Sequence, residues 1–371
     1  MITRKPQTSR SALYSVDLFC GAGGLSLGLK RAGFDSLYAA DWDKWSSKTY
    51  EHNFPNKLIE QRDVAKISID EIRSRLGNRQ RDVALVCGGP PCQGFSIQRR
   101  GARRDQRNDL VLDFARLAAA INPPMILMEN VPGLLGLRGR SIWNKFRRIL
   151  ESAGYTIQSA VLDAADYGVP QFRRRAIVVA WNFPASVPFE FPAKLSSEPN
   201  WATVRDAIGN LPPPAEDFRA HGRFANHLKV KITEVNQLRI SHVPEGGGRK
   251  DIPAALQLPC HRNNLTHRHL DVFGRMRWDT PAPTITAMFD NFTRGRFAHP
   301  EQDRSITGRE GARLQSFPDS FRFLGPKKDV ARQIGNAVPP RLAEVIGRSL
   351  SRWYFSAQSA SEPQRSITSL R

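Results

Sequence analysis

The chain is poor in cysteine. Its 371 residues hold four, Cys20, Cys87, Cys92 and Cys260, and no two form a C-x-x-C pair. That excludes a disulfide scaffold and argues against a zinc site, so no metal is expected. Free thiols fit a reducing compartment, and the expected location is the cytoplasm. Long apolar runs are also missing. No stretch approaches the roughly 18 residues of a membrane span. Residues 1–15 are polar and basic, unlike the apolar core of a secretory signal. Carboxylates are scarce beside cations: 35 Asp and Glu stand against 55 Lys and Arg, a net charge of +20. Such an excess points to a large polyanion as partner, and nucleic acid is the commonest.

With 40% hydrophobic and 24% charged residues, the chain can bury a core, and wholesale disorder is excluded. No internal repeat is visible. Over the first 180 residues apolar runs alternate with amphipathic stretches, the pattern of an α/β fold. Residues 14–19 read as a strand entering Gly21, Gly23 and Gly24, and residues 35–40 as a strand ending at Asp41. A third strand, 83–87, runs into Gly88-Gly89-Pro90-Pro91-Cys92, and a fourth, 125–128, ends at Glu129. Helices are expected over 109–121 and 141–153, the second stopped by Gly154, and a buried strand over 176–180. These make residues 1–181 the first part of one large domain.

After Trp181 prolines become frequent and periodicity fades. Residues 182–305 read as a second, smaller, irregular and mostly-β domain. Residues 306–355 carry late motifs and an amphipathic helix over 341–355, and 356–371 is expected to be a loose tail.

The chemistry-bearing residues cluster at strand ends. Asp17-Leu18-Phe19-Cys20-Gly21-Ala22-Gly23-Gly24 is a strand running into small residues, which lets backbone approach a ligand closely. Asp41 follows Gly21 by 20 positions, a spacing that suits a carboxylate gripping a ribose hydroxyl. Ser26 stands where G-x-G-x-x-G would have its last glycine. An adenosine-type ligand without a pyrophosphate therefore fits at least as well as a nicotinamide dinucleotide. Cys92 sits on a loop beyond a strand, in the crevice where α/β folds bind ligands, and is the candidate nucleophile; Cys20 and Cys87 read as core. Arg99, Arg100, Arg103, Arg104 and Arg107, countered only by Asp105, form a positive patch suited to phosphate. Glu129 faces the same crevice. Arg173 and Arg175 share one face of an extended segment and could lean on a carboxylate or a phosphate.

Taken in order, these motifs resemble the DNA (cytosine-5) methyltransferase family, of the bacterial modification-methylase type. They are DLFCGAGG at 17–24, Asp41-Trp42, Arg62-Asp63-Val64, GGPPCQGFS at 88–96 and MENVPG at 128–133. QFRRR at 171–175, RLQSFPDSF at 313–321 and QIGNAVPP at 333–340 follow. The resemblance covers roughly residues 14–180 and 300–355. Residues 182–300 match only by position, where the family keeps its target-recognition domain. Pro283-Thr284-Ile285-Thr286 resembles a short element of that domain.

The resemblance implies a Rossmann-like, S-adenosylmethionine-dependent methyltransferase fold. It implies methyl transfer to carbon 5 of a cytosine flipped out of double-stranded DNA at a specific sequence, through a covalent Cys92 adduct. Glu129, Arg173 and Arg175 would complete the catalytic set. Cofactor contacts would fall to Phe19, Gly21, Gly23, Gly24, Leu25, Asp41, Trp42, Asp63, Val64, Pro91, Asn336 and Val338. Ser96, Gln98, Arg99, Arg100, Arg103, Arg104 and Thr284 would contact DNA. Because the late motifs return to the cofactor pocket, the C-terminal helix should pack on the first domain. A monomer is expected, nucleoid-associated through DNA, with a separately acting restriction endonuclease left open as a partner. Two alternatives remain. A tRNA cytosine-5 methyltransferase would have a short middle region and another residue in place of Gln93. A catalytically inactive DNA-binding relative would be expected to lack Cys92 or Glu129.

Overall fold

The structure, a computed structural model of the chain, describes residues 13–91, 109–185, 187–216, 223–262 and 271–361. Seven strands form: β1 (Leu13–Leu18), β2 (Phe34–Asp41), β3 (Leu58–Gln61), β4 (Val83–Gly88), β5 (Met125–Asn130), β6 (Thr156–Asp163) and β7 (Arg174–Trp181). They make one sheet in the order β3-β2-β1-β4-β5-β7-β6. Strands β1 to β5 run parallel, and β7 lies antiparallel between β5 and β6. The central strands are covered on both faces, so their sequences read as near-continuous apolar runs. The edge strands β3 and β6 are only partly buried and mix polar with apolar residues, so their apolar signal is weak.

The helices α1 (Gly24–Arg31), α2 (Lys44–Asn53), α3 (Ile69–Leu76), α4 (Leu110–Ile121) and α5 (Arg140–Ser152) connect the strands. Successive strand residues face opposite sides of the sheet. Val86, Ile126, Met128 and Val178 pack with Phe114 of α4 and Phe146 of α5. Leu85, Leu127, Ile177 and Val179 pack on the other side with Leu25 and Leu29 of α1. Beyond the sheet come α6 (Val204–Ile208), α7 (Glu234–Ser241), α8 (Pro259–Arg262), α9 (Gly308–Leu314), α10 (Lys327–Asn336) and α11 (Pro340–Ser361).

Helix α11 lies against α1, and glycine makes the approach close. A Cβ on Gly28 would sit 2.3 Å from Pro340 O and 2.4 Å from Ala343 Cβ. The helix also runs six residues past its expected end at Phe355. The Ser- and Gln-containing stretch keeps helical hydrogen bonding because Ala357 is buried as the apolar stripe continues. Residues 362–371 lie outside the described residues.

The expectation of a mostly-β second region needs correction. Among the described residues of 182–305 the regular elements are short helices, with isolated bridges such as Arg275↔Ala298 and Ala298↔Ser305 in place of strands. Arginine side chains take over work that a ladder would do. Arg275 donates to the carbonyls of Val243 (2.7 Å), His299 (2.9 Å), Gln302 (3.0 Å) and Ile240 (2.8 Å). Arg296 donates to the carbonyls of Gly246, Gly247 and Arg275. A guanidinium offers five donors in a fixed fork, enough to satisfy several loop carbonyls at once. The region has a small core of its own around Ile240, Val243, Phe273 and Phe292. Its Val204, Met276, Trp278 and Ile285 instead share a core with Tyr50 of α2, with Phe54 just after it, and with the late segment.

Candidate active site

Strand β1 lies between β2 and β4, whose connections leave in opposite directions along the sheet. A crevice opens at the carboxyl ends of the strands where the order reverses. Here it is a cleft of about 730 Å3, within the range of small-ligand sites. Every parallel strand sends residues to it: Phe19–Ala22, Gly24 and Leu25 after β1, Asp41–Asp43 at the end of β2, Asp63 and Val64 after β3, Gly89–Pro91 after β4, and Glu129 from β5. Because β7 runs antiparallel, its beginning lies at the same end and brings Arg173 and Arg175. Asn336 and Val338 close the cleft from the late segment.

The turn after β1 is tightly wound. Phe19 has φ 61°, a left-handed conformation that non-glycine residues rarely hold, and Gly21 has φ 54°. Asp41, 8% exposed, stitches two turns together: Oδ2 accepts from Gly21 N and Oδ1 from Asp43 N, both at 2.9 Å. Burial pushes its pKa up to about 6 against the pull of those N–H groups. Trp42 beside it is 67% exposed, a flat apolar face left open at the cleft. Gly24 has a packing reason of its own, since a Cβ there would lie 2.3 Å from Val338 O. Gly23 does not line the cleft. Its φ is 93°, and a Cβ would lie 2.5 Å from the Phe54 ring behind the turn.

Ser26 has a purpose that its mismatch to the glycine fingerprint hides. Its Oγ donates to Asp17 Oδ2 at 2.5 Å, inside the fold beneath the turn. Tyr50 Oη lies 3.0 Å from Ser26 Oγ and donates to Ser36 Oγ at 3.1 Å. Asp17 is fully buried, and desolvation pushes its pKa up to about 7. Sequence reading quoted Asp17 only as part of the motif and assigned it no role; an acidic residue inside an apolar strand was the available signal.

Glu129 is 9% exposed at the end of β5. Its Oε1 accepts from Arg175 Nε at 2.8 Å. Gly89 leaves space beside it, since a Cβ there would sit 3.3 Å from Glu129 Oε2. Next to it, Asn130 Nδ2 donates to Pro90 O at 3.0 Å, so the Glu-Asn pair also anchors the Pro90-Pro91 approach to Cys92. Cys92, Ser96, Gln98, Arg99, Arg100, Arg103 and Arg104 lie outside the described residues. Cys20 and Cys87 are buried, and burial raises both thiols well above their ordinary pKa. A thiol so held is a poor source of thiolate.

Arg173 and Arg175 both line the cleft but are held differently. Arg173, 2% exposed, donates to Ile285 O, Gly335 O and Ala337 O, each at 3.0 Å. It ties the start of β7 to the middle region and to the carbonyls flanking Asn336. Gln171 does the same two residues earlier, donating to Leu314 O (3.2 Å) and Gln315 Oε1 (2.9 Å) and accepting from Ile285 N (2.8 Å). Thr284 does not line the cleft; its Oγ1 donates to Phe172 O at 2.7 Å. Arg332, which motif reading passed over among 55 basic residues, lines the rim and pairs with Asp43 at 2.6 Å and Asp329 at 2.8 Å.

No group of His, Cys, Asp and Glu placed to hold a metal occurs among the described residues, and none of their helices is long and apolar enough to cross a membrane. The family model for C-5 cytosine-specific DNA methylase matches residues 13–352. The chain is 37% identical to Type II methylase M.HgiDII of Herpetosiphon aurantiacus over 342 residues, covering 91% of this chain and 95% of that protein. It is 35% identical to Type II methyltransferase M1.HphI of Haemophilus parahaemolyticus, covering 91% and 87%. A prophage-encoded E. coli structure described as a DNA modification methyltransferase superposes with a TM-score of 0.72 at 29% identity, over 93% of this chain and all of that one. A Spodoptera frugiperda DNMT2 variant, at 18% identity and TM-score 0.60 over 92% of this chain and all of that one, shares the fold.

Proposed function

The chain belongs to the family of C-5 cytosine-specific DNA methylases, and on that footing we propose that it transfers the methyl group of S-adenosylmethionine to carbon 5 of a cytosine flipped out of duplex DNA. The observation that carries this reading is the meeting, in one cleft, of the Arg175-held Glu129 with the glycine turn, Asp41 and Trp42. The cleft fits the cofactor in size, in the open face of Trp42, and in having Asp41 and Asp63 at the strand ends. Phe19, Gly21, Gly24, Leu25, Asp41, Trp42, Asp63, Val64, Pro91, Asn336 and Val338 would hold it, with Gly23 shaping the turn from behind. When bound, the cofactor would supply an electrophilic methyl on a sulfonium, whose S–CH3 bond breaks on transfer to leave the neutral thioether S-adenosylhomocysteine.

Cytosine carbon 5 is a poor nucleophile. The Cys92 thiolate adds to carbon 6, and the ring electrons then reside at carbon 5, which attacks the methyl. Glu129 faces ring nitrogen 3 and the amino group and stabilises the electron-rich ring through a shared proton. Arg175 fixes that carboxylate. Arg173 acts one step back, holding the Gly335–Ala337 backbone that carries Asn336. Loss of the carbon-5 proton to a base and departure of Cys92 restore aromaticity and leave 5-methylcytosine. The base reaches Cys92 only after leaving the stack, which costs a few kcal/mol and is repaid by groove and phosphate contacts. Residues 182–305, together with Ser96, Gln98, Thr284 and the arginines from Arg99 to Arg104, would make those contacts. Its likeness to Type II methylases supports a role in restriction-modification, with orphan DNA methylation as the alternative.

The test is bisulfite sequencing of DNA from cells expressing the wild type or Cys92→Ser. The wild type should protect cytosines at one recurrent sequence, and the variant should protect none, because a serine hydroxyl is scarcely ionised at neutral pH. Absence of protected cytosines with the folded wild type would refute the reading.

A further inference from the structure

Residues 131–150 hold no carboxylate, yet they contain Arg138, Arg140, Lys145, Arg147 and Arg148. All five side chains are exposed. Arg147 pairs with Glu151; the other four have no ion pair or hydrogen bond among the described residues. In α5, Phe146 and Leu150 are buried against the sheet, which turns Arg140, Asn144 and Arg148, spaced by four, to the solvent side as one line. Over eight residues that line is about 12 Å long. The first turn of the helix carries no acidic residue and is entered through Arg138 and Arg140. Helix electrostatics disfavours cations there. The arrangement therefore does not serve the helix.

Its position is informative. Val131, next to the Glu129 strand end, lines the cleft, so the turn over 135–139 rises from the cleft's own rim. Helix α5 starts from that turn and packs against α4, whose first residue, Leu110, also lines the cleft. The arginine-bearing segment 99–107 leads into α4 along the chain. The unpaired cations of this turn and helix thus lie on elements that start beside, or pack against a helix that starts beside, the cleft.

We propose that Arg138, Arg140, Lys145 and Arg148 form a sequence-independent docking surface for the phosphates of duplex DNA flanking the target site. The inference rests on the DNA methyltransferase reading above. One strand of a duplex presents a phosphate about every 3.4 Å along its axis, so a line of about 12 Å spans roughly three. Sequence is read elsewhere; this surface adds affinity and register.

The experiment measures binding of the full chain to a mixed-sequence duplex of about 30 base pairs at several salt concentrations. The variant replaces Arg138, Arg140, Lys145 and Arg148 with Gln. Each lost phosphate contact lowers the slope of log affinity against log salt by about 0.9, so a fall of about two to three is expected. At roughly 0.15 M salt that is about a thirtyfold loss of affinity or more. Replacing the three arginines with Lys should keep most of the slope. Leu137→Ala, in the same turn but uncharged, should leave it unchanged. Cofactor affinity and melting temperature should stay at wild-type values, since all four side chains are exposed. A wild type that methylates DNA, with a variant of unaltered slope, overturns this proposal alone and assigns the patch to another partner. A folded wild type that neither binds nor methylates DNA overturns the functional reading and this proposal together.

Discussion

Replacing Arg173 or Arg175 with lysine separates two roles that their shared motif conceals. Arg173 makes three charge-assisted hydrogen bonds to carbonyls, all at 3.0 Å and out of solvent. Such bonds contribute roughly 1.5–3 kcal/mol each, and an ammonium without the planar fork would keep about one. Burying the more strongly hydrated ammonium returns nothing, so Arg173→Lys should cost at least about 3–5 kcal/mol. With unfolding entropy of about 2.1 cal/mol/K per residue, a chain of this length should melt about 4–6 °C lower. Cofactor affinity should fall too, because Gly335 and Ala337 flank Asn336 in the cleft wall. Arg175 makes its bond to Glu129 at the cleft surface. Arg175→Lys should therefore melt within about 2 °C of wild type while turnover drops tenfold or more, since the carboxylate loses its fixed direction. Differential scanning calorimetry and methyl transfer from labelled cofactor give both numbers. If Arg173→Lys melts like the wild type but loses turnover at saturating cofactor, Arg173 acts on the reaction directly and the positioning argument fails.

Glu129→Gln should lower turnover by about 10²–10³ with DNA affinity retained, because an amide N–H can donate a hydrogen bond but cannot transfer its proton to the ring; near-normal turnover in a single-turnover assay would make the carboxylate structural. Gly28→Ala should destabilise the fold by about 1–3 kcal/mol, since the added Cβ would meet Pro340 O at 2.3 Å, and urea denaturation would detect it. Asp17→Asn probes the buried carboxyl beneath the glycine turn. Its pKa is raised to about 7, so the folded state holds a proton that the unfolded chain releases near pH 4. The wild type should lose the stability from this group as pH rises from about 4 through 7. The variant lacks that loss, so it should gain on the wild type by about 2.5–3 kcal/mol between pH 5 and pH 8 in denaturant titrations. His299, lowered to about 4 by burial, works in the opposite sense in both proteins and cancels in the difference. A constant gap across that range would mean that Asp17 is ionised throughout.

What could be read from the sequence follows burial. Strands β4 and β5 announce themselves because both of their faces are covered, and the motif residues at their ends face the cleft because every parallel strand points there. Edge strands give a weaker signal; in β6 Gln158 and Ser159 interrupt the apolar residues, and Leu162 is its single buried position. Ser26 looked like a defect in a glycine fingerprint until Asp17 appeared beside it, a pairing nine residues apart that no periodicity marks. Of the two adjacent glycines expected at the ligand, Gly24 lines the cleft and also packs against Val338 O, whereas Gly23 lies off the cleft against the Phe54 ring. In the middle region the chain abandons period altogether. There the backbone is satisfied by side chains distant in sequence, and propensity carries no information about which ones.

The net charge of +20 illustrates the same point from composition. Read as a single quantity it points to a polyanion, and the family bears that out. The cations are of different kinds, however. Arg173, Arg275, Arg304 and Arg309 are all under 4% exposed and donate to backbone carbonyls, so they contribute to the sum without facing any partner. Others, such as Arg205 with Asp279 and Arg313 with Asp319, sit in ion pairs whose field largely cancels beyond a Debye length. The attraction that DNA feels comes from what is left: exposed cations with no carboxylate beside them. That residue of the sum is unevenly placed, and the carboxylate-free stretch through α5 is where the described chain concentrates it. Charge that stabilises an irregular fold and charge that draws in a duplex are identical in composition and are separated only by where the carbonyls and carboxylates lie.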